Sequence, residues 1–156
     1  AGRSRWQSHS IRPPLQLVAD TTMIAPPHTP SRDVNQRPYL TRNFTSFDAV
    51  TVHSGAVVFR AQVQGQQGIY LRDRSGSIHV VVNAQTPAPP PANPRSRFQY
   101  VELSSRAFDG RYVVFYALVG AGPGSQEDTN GHRAAALPLS KGLWYVDVSH
   151  ITLGTA

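Results

Sequence analysis

Residues Ala56–Val63 read AVVFRAQV, and residues Tyr112–Val119 read YVVFYALV. This duplicated alternation constrains the chain more than any other feature. In Gly55–Asp73, Val57, Phe59, Ala61 and Val63 alternate with Val58, Arg60, Gln62 and Gln64. A period of two makes a strand with one apolar row and one mostly polar row. Gly65-Gln66-Gln67-Gly68 supplies the glycines of a tight reversal, and Ile69-Tyr70-Leu71 begins the return strand. Asp73-Arg74-Ser75-Gly76 then turns the chain into a third run, Ile78–Val82. Three such runs in succession predict a β-meander.

The meander is repeated downstream. Gly142-Leu143-Trp144-Tyr145 echoes Gly68-Ile69-Tyr70-Leu71. A Phe-led segment precedes each hairpin, Asn43–Phe47 in the first copy and Arg97–Val101 in the second. Phe44 to Phe98 is 54 positions and Val57 to Val113 is 56, whereas Gly68 to Gly142 is 74, so the second hairpin loop is 18 residues longer. An internal repeat has to be settled before the fold. It predicts repeats over about 39–86 and 95–156, inside one β domain of residues 23–156, preceded by an arm of residues 1–22.

The closing strand has an extra copy. Leu15–Thr21 matches Ile78–Ala84, and a shortened version, Ile151-Thr152-Leu153, follows the second hairpin. Leu15–Thr22 is therefore expected to be an orphan strand with no hairpin partner before it. Met23–Pro38 is a Pro-rich loop, and proline at that density forbids helix and interior strand. Thr86–Pro94, TPAPPPANP, reads as a polyproline connector between the copies. No stretch sustains a 3.6-residue period with caps, so the fold class is all-β. An immunoglobulin-like β-sandwich is expected, with a partial β-propeller as the alternative.

Composition narrows the chemistry. The 156 residues carry a net charge of +6 and no cysteine, which excludes disulfides and thiolate metal sites. No apolar run reaches the 18 residues of a membrane span. Fourteen of the fifteen basic residues are arginines, scattered with no run and no nucleic-acid-binding motif. That pattern argues against nucleic acid as the partner. Six histidines lie nowhere at metal-ligand spacing with a carboxylate. Glu127–Gly131 lacks the oxygen ligands and distal Glu of a calcium loop. Asp20, Asp73, Asp109 and Asp147 sit beside turns, where Asp caps nearby N–H groups, and no pair forms an acid–base dyad. No nucleophile elbow, P-loop or dinucleotide fingerprint occurs. The expectation is a non-enzymatic protein with no cofactor and no metal. Phe59, Phe115, Tyr70, Trp144 and Tyr145 recur at equivalent repeat positions, which argues for core packing. Asn43-Phe44-Thr45 is a sequon, making Asn43 the candidate glycosylation site.

Leu15–Asp20, Phe44–Phe47, Ser54–Ala61, Gly68–Leu71 and Ile78–Asn83, echoed by Phe98, Asp109–Ala117 and Gly142–Tyr145, carry a family likeness. The chain resembles the choice-anchor or NxxGxxxx-type tandem β-repeats of bacterial secreted and cell-surface proteins. The resemblance implies a secreted or surface-exposed, non-enzymatic protein, and it brings no catalytic residues. Repeat units bury their faces against neighbours, and two copies are few. The orphan strand can fold back and pair within its own chain near Tyr145 or Ile151, or insert into a sibling chain as in donor-strand exchange, and the second route is the one expected here. Trp6, Ile11, Leu15, Leu17 and Val18 are the candidate donor residues, and Leu143, Tyr145, Ile151 and Leu153 the candidate acceptor edge. The expected function is a subunit of an extracellular, pilus-like filament, a head-to-tail homopolymer. A secreted module binding glycan or another polymer through aromatics and arginines is the alternative.

Overall fold

A computed structural model describes residues 15–26, 43–90, 92, 95–121 and 140–152. Seven strands form among them: β1 (Phe44–His53), β2 (Ala56–Val63), β3 (Gln66–Arg72), β4 (Ile78–Asn83), β5 (Ser96–Phe108), β6 (Tyr112–Ala121) and β7 (Ser140–Asp147). Helix α1 (Ser149–Thr152) follows. The strands make two antiparallel meanders in chain order, β1-β2-β3-β4 and β5-β6-β7. The sheets share one buried cluster, in which Val58, Ile69 and Leu71 of the first meet Phe98, Val101 and Phe115 of the second. That is an all-β sandwich, and β5 approaches every strand of the first sheet.

The repeat is visible in the strand registers. Phe44 pairs with Val63 and Ala61 with Gly68 in the first unit. Phe98 pairs with Val119 and Ala117 with Gly142 in the second. Phe59 faces Tyr70 as Phe115 faces Trp144. Each unit also folds an aromatic ring back over the glycine two residues earlier. A Cβ on Gly68 would lie 2.9 Å from the Tyr70 hydroxyl, and one on Gly142 would lie 2.9 Å from the Trp144 ring nitrogen. Only glycine leaves room for this, so its use in a strand interior is steric.

The faces do not divide as the sequence suggests. Phe59, Ala61, Val63 and Tyr70 were expected to face the core, with Val58 and Arg60 on a polar side. Instead the inner face of the first sheet is the one bearing Val58, Ile69 and Leu71, each fully buried. The aromatic face points outward into a second cluster, where Val18, Ala19, Met23 and Ala25 pack against it. Both faces of β2 are therefore apolar, and alternation alone does not say which one turns inward. In the second unit the equivalent aromatic face, with Phe115, Ala117 and Val119, is the inner one. The two units thus stack in the same sense, the aromatic face of the second on the aliphatic face of the first.

Other departures have local causes. Leu15–Asp20 is irregular and leads into a turn, where a strand was expected. The Asp20 carboxylate accepts the N–H of Thr22 (2.8 Å) and of Met23 (3.1 Å), which bends the chain away from a ladder. The segment's one β contact is an isolated bridge, Ile24 to Asn43. Ile151 was expected in a closing strand but sits in α1, packed on the core, because the Asp147 carboxylate caps the Ser149 N–H at 2.9 Å. The first reversal uses Gln64 and Gly65, at φ 52° and 76°, rather than Gly65–Gly68. Two consecutive positive φ values are those of a type I′ hairpin turn. The Pro-rich connector is stitched to the sheet, since Ala88 donates to the Ser96 carbonyl at 3.0 Å and is buried. Residues 1–14, 27–42 and 122–139, which include the arm's start and the long loop, lie outside the described residues.

The ring-over-glycine contact makes a direct prediction. Tyr70 is 2% exposed and has nowhere to swing, so Gly68→Ala should destabilise the protein. Overpacking of this kind costs about 1–3 kcal/mol. Chemical denaturation should show a lower midpoint at unchanged slope.

Candidate assembly surfaces

The outer face of the second sheet is built by alternation. Register pairs Val114 with Tyr145, Tyr116 with Leu143 and Leu118 with Lys141, all on the side away from the core. Leu143 is 76% exposed, Tyr145 72% and Val114 38%. Tyr112 and Tyr145 meet edge to face at 5.8 Å. The Arg111 guanidinium lies 4.9 Å over the Tyr112 ring and donates to the Asp147 carboxylate at 3.0 Å. The Ser149 hydroxyl and N–H, with Arg111, hold the Asp147 carboxyl down at about 2. The platform is thus apolar and aromatic in the middle, with a fixed charge pair at one end. β7 is an outside strand of its sheet.

The outer face of the first sheet is aromatic and partly covered. Phe44, 1% exposed, is its hub, with ring centroids 5.0 Å from Tyr70, 5.4 Å from Phe47 and 5.8 Å from Phe59. Burial pushes the Tyr70 phenol up to about 12. Residues 15–26 lie across this face, tied at one end. The Asn43 side-chain nitrogen donates to the Thr21 and Thr22 carbonyls at 3.2 and 3.4 Å, and the Phe44 N–H to the Met23 carbonyl at 3.3 Å. Toward Leu15 the hold fails. Val18 and Ala19 bound an open cleft of about 310 Å³ against Phe47, Val50 and Phe59. Phe47 and Val50 remain exposed at the cleft, Val52 further along β1, and Leu15, Leu17 and Ile24 on the segment itself.

Two polar clusters lie elsewhere. Arg60 spans the sheets: it binds Asp48 through two nitrogens, both at 2.6 Å, and donates to the Val101 carbonyl of β5 at 2.9 Å. This charge-assisted fork ties the sandwich at its edge. In the β3–β4 turn, Asp73 accepts the Ser75 hydroxyl (2.6 Å) and the Ser77 N–H (2.9 Å), while its other oxygen meets His79 Nε2 at 2.8 Å. The serine here bonds the carboxylate and not the imidazole, so the trio locks a turn and does not build a nucleophile–base relay. Among the described residues no group of three His, Asp or Glu side chains comes together to hold a metal ion, and no helix is long and apolar enough to cross a membrane.

The candidate residues fall as follows. Leu143 and Tyr145 are exposed on the outside strand, as an acceptor edge needs; Tyr145 is therefore not the core aromatic its repeat position suggested. Ile151 offers no strand edge, because it is helical and half-buried. Leu15 and Leu17 are exposed, and Val18 is half-buried on its own chain's sheet. Trp6, Ile11 and Leu153 lie outside the described residues. The Asn43 nitrogen is engaged by two carbonyls, and a glycan there would replace one of its two hydrogens and so remove at least one of these bonds. Val114, Phe47, Val50 and Val52 were missed. Alternation could not have found them: Phe47 shares a face with Val50 only through the irregularity between Phe47 and Ala49, and the outward row of β6 is set by the packing.

Fold and surfaces define a class: an all-β sandwich of two antiparallel meanders, with apolar side chains exposed on the outer face of each sheet. Comparison with known proteins adds no relative: no family model matches, and neither a curated protein nor a solved structure matches.

The Asp73 turn gives a pH prediction. Burial works to raise its carboxyl, but the bonds from Ser75, His79 and Ser77 outweigh it and bring it from 3.8 to about 2. A carboxyl depressed in the folded state adds stability above its unfolded value, and that stability is lost as pH falls toward the folded one. Thermal melts should therefore weaken between about pH 4 and about pH 2. In Asp73→Asn that part of the slope should disappear.

Proposed function

We propose that the chain is a structural subunit, not an enzyme, that polymerises head to tail into an extracellular, pilus-like filament. One observation carries this reading. Among the described residues, the large hydrophobic side chains left exposed are Phe47, Val50 and Val52 on the outer face of the first sheet, Leu15, Leu17 and Ile24 on the segment that crosses it, and Val114, Leu143 and Tyr145 on the outer face of the second. Exposed apolar patches of this kind mark interaction surfaces. Two unlike patches on opposite sides make a heterologous contact, which continues into a filament unless its rotation closes a ring. The exposed Leu15 and Leu17 suit a segment that engages a neighbour, the route expected of donor-strand exchange. Extracellular placement rests on the resemblance of the repeat motifs to those of surface proteins.

A second reading, a secreted glycan- or polymer-binding module, is favoured by Arg111 stacked on Tyr112 beside Tyr145, since flat aromatic surfaces also take sugar rings.

Sedimentation velocity and electron microscopy of the full chain at rising concentration test the first reading. An open-ended series of sizes ending in fibres is expected. A single monomer boundary at every concentration would overturn it, and a glycan array would then take up the second.

A further inference from the structure

The inner interface of the sandwich specifies what should cover the outer one. Val58, Ile69 and Leu71 form the inner face of the first unit, each 0% exposed. Their register equivalents in the second unit are Val114, Leu143 and Tyr145, the three large hydrophobics that unit leaves exposed. The same three positions are thus covered in one unit and bare in the other. What covers them in the first unit is an aromatic face, that of Phe98, Val101, Leu103 and Phe115. Register places Phe44, Phe47, Val50 and Phe59 at the equivalent positions of the first unit's outer face. The central contacts of the inner interface, those of β2 and β3 with β5 and β6, therefore each have a counterpart in matching order, while β4, which adds Val82, has none in the three-stranded second sheet.

In one molecule, residues 15–26 occupy that aromatic face. They fill it poorly, with the cleft of about 310 Å³ under Val18 and Ala19 and with Phe47, Val50 and Leu17 still exposed. A well-packed cover leaves no such gap. They also attach through one isolated bridge and the Asn43 bonds rather than a ladder.

We propose that the outer face of the second sheet docks onto the outer face of the first sheet of a second copy, in the geometry the chain already uses internally, and that residues 15–26 are a placeholder displaced on docking. This deepens the filament reading and rests on it. It names the joint, Val114, Leu143 and Tyr145 against Phe47, Val50 and Phe59, and makes the two-unit chain one link of a continuous stack of sheets. It also reverses the role of the N-terminal segment. A donor strand is required for assembly, whereas a placeholder holds assembly back.

The 156-residue sequence contains no cysteine, so an engineered thiol is unique in it. Val50→Cys and Leu143→Cys chains, mixed under mild oxidation, should form a mixed dimer. Arg74→Cys, at the exposed β3–β4 turn, should not pair with Leu143→Cys. Leu143→Asp, at a position already in water, should raise the concentration for assembly about tenfold or more, as loss of a central apolar contact does. Asn43→Ala, which frees the segment, should lower it, and Val18→Asp should act in the same direction; circular dichroism checks that each variant is folded. Lowered assembly in Asn43→Ala and Val18→Asp would overturn the placeholder and restore strand donation. Wild-type assembly unaffected by Leu143→Asp, with no thiol pairing, would overturn the joint and leave the filament reading standing. Absence of assembly in the wild type and in both freed variants would overturn both.

Discussion

Everything in this structure depends on a parity constraint: β2 and β3 carry apolar side chains on both faces. A strand shows alternate residues to opposite sides. With Val58, Ile69 and Leu71 on one side and Phe59, Ala61 and Tyr70 on the other, the first sheet needs two covers. The second sheet supplies one. The N-terminal segment supplies part of the other. A chain with polar outward rows would have closed as a symmetric pair of sheets, each hiding its aromatic face from water. This one stacks in the same sense and leaves an unfinished face at each end.

The polar contacts sit where this stack needs fixing and nowhere in the middle of it. Arg60 stands on the inner row of β2, the one charged side chain there, and reaches sideways to Asp48 and the Val101 carbonyl. It therefore anchors the edge of the sandwich without placing a charge in the core. The Asp carboxylates perform the same task at chain reversals: Asp20, Asp73, Asp109 and Asp147 each accept backbone N–H groups within a few residues. These bonds satisfy donors that the ladders leave over, and they fix where each strand ends. These aspartates are thus accounted for by the architecture.

The outer surfaces follow from the repeat. Two copies of one unit, related by stacking and not by a twofold axis, have unlike ends by construction. The second unit keeps at Val114, Leu143 and Tyr145 the apolar character that the first uses for its core, though no described residue covers them. Three exposed hydrophobics there are what the proposed continued stack would cover.

The sequence by itself determined the strands of the first meander, the reappearance of the same pairing in the second and the turn chemistry of the aspartates. These rest on local rules of alternation, glycine and capping, which a linear reading contains. Only the tertiary structure decided which face of each sheet turned inward, because β2 and β3 are apolar on both and local pattern cannot break that tie. Only it decided that Leu15–Thr22 crosses a sheet without joining one, since the Asp20 turn outweighs a short alternating run. And only it put Ile151 in a helical turn against the core, where burial and the Asp147 cap outweigh the β-propensity of a three-residue echo.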